Sequence, residues 1–235
     1  MPSYGHVDLT PLIERLGSSA HPALEVVPEI GSPPSVALLA GSFDPLTIGH
    51  EALSREAARR AGAVLLVWSA RSLPKEGTAP PPLLSDMDRV EVLERFCAQR
   101  PGHAVGLASH GLLAEHVAAA AERFPGTELS LVMGSDKALQ LLDPKWYTDR
   151  DAALRSLFRH ARVLYAQRSG QVGAVRTALS RPENRAWRDR FELLDIPSQI
   201  ASVSSRGVRE LLAGGEDIRE LVPPESWDVI RRAAG

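Results

Sequence analysis

The residues best suited to chemistry lie in one run, Ala40-Gly41-Ser42-Phe43-Asp44-Pro45-Leu46-Thr47-Ile48-Gly49-His50. Glycine at a turn lets main-chain N–H groups approach an anion closely, and a helix that opens after such a turn offers its positive dipole end to negative charge. His50 falls in the first turn of the helical pattern that follows, beside whatever the turn cradles. Together these features could hold a nucleotide phosphate next to a donor able to carry charge. A Gly-rich turn that merely reverses the chain has the same composition, so the run needs partners elsewhere.

Two further segments offer them. Val203-Ser204-Ser205-Arg206-Gly207-Val208-Arg209-Glu210-Leu211-Leu212 places two serines before a helical run, where they make an N-cap, and Arg209 projects from the first turn. Arginine's planar fork forms paired, charge-assisted bonds to phosphate oxygens. A capped surface helix with a solvated Arg explains the same residues equally well. Met133-Gly134-Ser135-Asp136-Lys137 ends an apolar run and is followed by Asp143-Pro144-Lys145-Trp146-Tyr147. A Gly-x-Asp turn can set a carboxylate on a ribose hydroxyl, and Trp146 offers a flat face for a base, although a lone Trp is first of all a packing residue. Lys75 and Arg89 are weaker candidates: one reads as a solvated loop lysine, and the other sits in a helix start where Ser85, Asp86 and Asp88 do ordinary capping.

The elements that must position these residues are legible as alternating patterns. Strands are predicted at Val36–Ala40, Ala63–Trp68, Ala104–Ala108, Glu128–Met133, Arg162–Gln167 and Phe191–Asp195. Helices are predicted at Glu51–Ala61, Asp86–Gln99, Leu112–Arg123 and Arg150–Arg159. Short apolar strands alternating with helices imply an α/β fold, a doubly wound and mainly parallel sheet covered on both faces. Ligands of such sheets bind beyond the carboxyl ends of the strands, where Gly41–His50 lies. Residues 1–34 read as an N-terminal extension before a domain at 35–235. Within it Thr10 would cap a short helix, Pro11 would begin it and Gly17 would stop it. Thr78-Ala79-Pro80-Pro81-Pro82 reads as an exposed loop, either a flap over substrate or a plain connector.

Bulk composition narrows the function. The chain has 235 residues, 44% apolar, with a formal net charge of -2, which suits one core and gives no electrostatic argument for nucleic acid or membrane binding. Self-association is left open. Cys97 is the single cysteine, so no intrachain disulfide forms, and its helical, apolar setting reads as a buried structural thiol. No signal peptide or membrane span is expected, so the default compartment is the cytoplasm. The remaining histidines lack metal-ligand spacing, and neither a nucleophile elbow nor a P-loop occurs.

Gly41–His50 resembles the (H/T)-x-G-H signature of the nucleotidylyltransferase superfamily, with both the G-x-F-D-P portion and the closing G-H present. Val203–Leu212 is similar to that superfamily's I-S-S-T-x-[IV]-R signature, and Gly215–Pro223 with a closing helix at Ser226–Ala233 to its usual ending. The Gly134-x-Asp136 turn followed by Trp146 resembles the nicotinate and nicotinamide mononucleotide adenylyltransferases within it.

The resemblance covers residues 35–233 and implies a Rossmann-like fold that joins ATP to a pyridine mononucleotide, giving a dinucleotide and pyrophosphate. Mg²⁺ would arrive with ATP. The resemblance implies that His50, Thr47 and Arg209 are catalytic, and that Gly41, Ser42, Phe43, Asp44, Gly49, Gly134, Asp136, Ser204 and Ser205 help bind ATP. It assigns Lys75, Arg89 and Trp146 to the acceptor. Two positions depart from the pattern: Thr47 stands where most pyridine-nucleotide members have His, and Arg206 replaces the Thr of S-S-T. Phosphopantetheine adenylyltransferases carry Thr at the first position, which makes that activity the rival reading; a nucleotide-binding protein of this fold with little turnover is the other alternative.

Overall fold

The structure is a computed structural model and describes residues 8–71 and 82–234. Among them seven strands form one sheet: β1 (Leu24–Val27), β2 (Ser35–Ala40), β3 (Ala63–Ser69), β4 (His103–Ala108), β5 (Glu128–Gly134), β6 (Ala161–Ala166) and β7 (Phe191–Leu193). Their spatial order is β1-β4-β3-β2-β5-β6-β7, all parallel except β1, which runs antiparallel to β4. The helices are α1 (Thr10–Ser18), α2 (Ile48–Ala58), α3 (Asp86–Ala98), α4 (Leu113–Arg123) and α5 (Ser135–Leu142). They continue with α6 (Arg150–His160), α7 (Ala174–Ser180), α8 (Ser198–Ala201), α9 (Ser205–Ala213) and α10 (Pro224–Ala234).

Strand periodicity sorts the core into two layers. Ala37 and Leu39 of β2 face one side with residues of α1, α2, α3, α8, α9 and α10. Val36 and Leu38 face the other, with α4, α5, α6 and α7. The sheet therefore has helices on both faces, as the alternating pattern predicts. The chain leaves β2 toward β3 and β4, then returns to place β5 on the other side of β2. That reversal makes the carboxyl ends of β2 and β5 the switch point, where such sheets open a ligand crevice.

The described part of the expected extension is built into the domain: Leu9 and Leu16 belong to the core, and β1 completes the sheet edge. Residues 19–23 cross the end of β4, where the Ser109 hydroxyl accepts from Ala23 N at 2.8 Å and Arg71 donates to the Ser19 carbonyl. In α1, Leu9 rather than Thr10 is the N-cap, and the helix runs through Gly17 to Ser18. Strand β7 is shorter than predicted, as befits an edge with one neighbour. Cys97 is buried as expected, and burial pushes its thiol up to about 12. Among the described residues no helix is long and apolar enough to cross a membrane. Lys75 and nearly all of the Pro-rich loop lie outside the described residues.

Candidate active site

The turn after β2 is closed by residues that serve one another. Gly41 N donates to the Val67 carbonyl at 3.1 Å, continuing the β2–β3 ladder past its end. Phe43 then adopts a left-handed φ of 45°, and its fully buried ring meets the His50 imidazole edge-on, 5.1 Å between centroids. Thr47 is the N-cap of α2, and His50 is its N3 residue. The Thr47 main-chain N–H donates to His50 Nδ1 at 3.1 Å. The Thr47 hydroxyl lies 2.9 Å from the same nitrogen and 3.1 Å from the Val203 carbonyl, so its one proton serves these two acceptors. With Nδ1 accepting, the ring's proton is assigned to Nε2. His50 is half-buried, and burial, reinforced by the charge of Arg168, pushes its pKa down to about 4. At neutral pH it is a neutral N–H donor, not a cation.

The second motif is interlocked with this turn across more than 150 residues of sequence. Ser205 Oγ donates to the Pro45 carbonyl at 2.8 Å, Thr47 reaches Val203, and Arg209 Nη1 donates to the Asp44 carbonyl. Ser204 caps α9 by accepting from Gly207 N at 3.1 Å. Gly49 permits the approach. A Cβ there would lie 2.6 Å from the Val203 carbonyl oxygen and 3.0 Å from that of Ile200, closer than real contacts allow. The N-termini of α2 and α9 thereby converge on one place, and their dipoles add for an anion between them.

Several predicted site residues have partners inside this frame. Asp44 is buried, and its Oδ1 accepts from Leu83 N at 3.0 Å and Leu84 N at 2.8 Å. Its Oδ2 lies 3.2 Å from Arg209 Nη1 and 3.7 Å from Arg89 Nη2. Arg209 is the fifth residue of α9, past its first turn, and is turned inward rather than projecting. Arg89 is likewise buried, with Nε donating to the Leu84 carbonyl at 3.0 Å. Thr47 is fully buried, and its hydroxyl is engaged by His50 Nδ1 and the Val203 carbonyl. The Ser85–Asp88 capping box forms as its composition predicts.

Arg168 stands out among the residues the sequence reading missed. It follows β6 and ion-pairs Asp136 at 3.3 Å beside the end of β5, and its charge reaches His50. Gly134 makes room for it, since a Cβ there would meet Arg168 Nε at 2.7 Å. No local signal marks Arg168, because a lone Arg in a polar loop has no pattern until β5 and β6 lie side by side. Trp146, in the short 3₁₀ turn Pro144–Trp146, is 41% exposed with the Lys145 ammonium 4.8 Å from its ring centroid. It packs into no core and leaves a ring available for stacking. Among the described residues no group of three or more His, Cys, Asp or Glu side chains could hold a metal ion.

The chain is 25% identical over 202 residues to a protein of Rubrobacter xylanophilus named probable nicotinate-nucleotide adenylyltransferase, covering 83% of this chain and 88% of that one. Proteins of the same name from Solibacter usitatus (27% identical; 80% and 92% covered) and Chlorobaculum tepidum (28%; 80% and 91%) are also similar. The family model described as cytidylyltransferase-like matches residues 38–210, from inside β2 into α9, and so takes in Gly41–His50 and the second motif through Arg209. The chain belongs to the cytidylyltransferase-like family.

Proposed function

We propose that this protein is an adenylyltransferase of NAD biosynthesis, joining ATP and nicotinate mononucleotide to give the dinucleotide and pyrophosphate. The names of its relatives support the acceptor. The observation that carries the chemistry is His50 held at the junction of two helix N-termini, its Nδ1 accepting from the Thr47 main-chain N–H at 3.1 Å, which leaves Nε2 as the donor.

In this reading the triphosphate lies along the Gly41–Phe43 turn and the start of α9, with main-chain N–H groups and helix dipoles balancing its charge. Mg²⁺ enters bound to ATP as part of the substrate. An oxygen of the mononucleotide phosphate attacks the α-phosphorus in line, the bond to the bridging oxygen of the β-phosphate breaks, and pyrophosphate leaves. Catalysis is positioning and charge stabilisation. His50 Nε2–H donates to an α-phosphate oxygen, and Arg168 offsets charge on the transferring group. Asp136 and Trp146 face the nucleosides. Thr47, Asp44, Arg89 and Arg209 act as positioning residues that hold the turn and the imidazole. Ser204 and Ser205 bring the α9 N-terminus to the leaving phosphates.

The test is incubation of the full chain with MgATP and nicotinate mononucleotide, nicotinamide mononucleotide or 4′-phosphopantetheine, reading pyrophosphate release and product mass. Nicotinate adenine dinucleotide as the preferred product is expected. Product from 4′-phosphopantetheine alone would reassign the acceptor, and ATP binding with no product from any acceptor would overturn the catalytic reading.

A further inference from the structure

A cavity of about 430 Å³ opens at the β6–β7 edge of the sheet, in the layer of α7 and away from the α2–α9 junction. Arg176 of α7 and Arg188 of the 3₁₀ segment Pro182–Arg190 line it, and neither guanidinium has an ion pair or hydrogen bond among the described residues. Tyr165 is 7% exposed, and its phenol faces the cavity without a hydrogen-bond partner among the described residues. Burial pushes the Tyr165 pKa up while the nearby charge of Arg176 opposes that rise, so phenol and guanidinium share one electrostatic environment. Gln167 accepts from Gly173 N at 2.5 Å through Oε1, which leaves its amide N–H groups as donors. Asp189 is the one carboxylate in the lining. Phe191 and Leu193 of β7 add an apolar wall, with Leu193 46% exposed.

This donor set has two cations, a phenol and an amide against a single carboxylate, so it complements an anion with several acceptor oxygens. The volume is that of a small-molecule pocket, larger than a bare phosphate requires. We infer that the β6–β7 cavity binds a small organic phosphate, its phosphoryl oxygens between Arg176 and Arg188 and its apolar part against Phe191 and Leu193. The site is separate from the adenylyl-transfer site and does not depend on that function.

Calorimetric titration of the full chain with phenyl phosphate, and with inorganic phosphate as the headgroup alone, tests this. Phenyl phosphate is expected to bind more tightly than inorganic phosphate. Its binding should survive in a His50→Ala/Arg168→Ala variant and weaken by about 10-fold or more in Arg176→Ala/Arg188→Ala, the effect of losing charge-assisted bonds. Both arginines are exposed and without an ion pair among the described residues, so their replacement leaves the core in place. Tyr165→Phe, which keeps the ring, should weaken binding by a smaller factor. Absence of binding to the wild type, unchanged binding in the arginine variant, or loss confined to the His50/Arg168 variant would each overturn the assignment.

Discussion

Arg209 rests its guanidinium on Asp44, with Nη1 3.2 Å from Oδ2 and donating to the Asp44 main-chain carbonyl, although the two residues are 165 positions apart. The pair joins the turn after β2 to α9 in the interior, and Arg89 approaches the same carboxylate from α3. Three segments of the site thus meet on one buried side chain.

Removing one partner from a buried ionic cluster leaves uncompensated charge, which costs more than the net worth of the intact cluster. Asp44→Asn keeps the shape and removes the carboxylate from the buried Arg209 guanidinium, while Arg89 keeps Asp86 at 3.4 Å. Its unfolding free energy in urea should fall by about 3–5 kcal/mol. A midpoint equal to wild type would show that the carboxylate does not organise the turn.

His50→Ala should slow adenylyl transfer by ~100-fold or more, typical for one preorganised donor to developing charge, with a smaller change in the KM for ATP. His50→Gln, which retains an N–H donor, should recover part of the loss. Wild-type turnover in the alanine variant would remove His50 from the chemistry.

Burial is the larger cause of the low His50 pKa, and Arg168 the second. Arg168→Ala should therefore raise that pKa above about 4 while leaving it below the ordinary value of 6.5. Titration of the imidazole by NMR measures this directly. The same variant should lose transfer activity, and Gly134→Ala should do so too by displacing the Arg168 side chain.

His50, His103 and His116 all have their pKa lowered, chiefly by burial. Between the folded and unfolded values the unfolded chain binds more protons, so stability rises with pH in that window. The contribution of His50 is fully present above about 6.5 and lost as the pH falls toward about 4. Thermal midpoints should be steady above that window and decline through it, less steeply in His50→Gln. A decline of equal slope in that variant would assign the effect to other groups.

Gly49→Ala forces a methyl group against the Val203 and Ile200 carbonyls. Overpacking of this kind costs about 1–3 kcal/mol. The backbone must part where α2 meets the segment before α9, so turnover should fall along with the melting temperature. A stable variant with full activity would mean that the junction tolerates separation.

The α/β class is legible in the chain, because apolar strands and amphipathic helices write their periods into it wherever a sheet is buried on both faces. The chain also marked Gly41–His50 and Val203–Arg209, since tight turns and helix caps constrain residue type within a few positions. The Ser85 capping box and the buried Cys97 were legible for the same local reason. Strand β1 was not, because its four residues become a strand only by pairing with the edge of β4. Tertiary structure alone decided what the polar residues of the motifs do. Thr47, Arg89 and Arg209 carry groups that suit phosphate, yet each, like the Asp44 carboxylate, is buried against a partner far away in sequence, and burial obliges a polar group to be satisfied internally. Arg168 shows the converse. Nothing around it in the chain distinguishes it, and it meets the neighbourhood of His50 only because the fold sets the carboxyl ends of β5 and β6 beside that of β2.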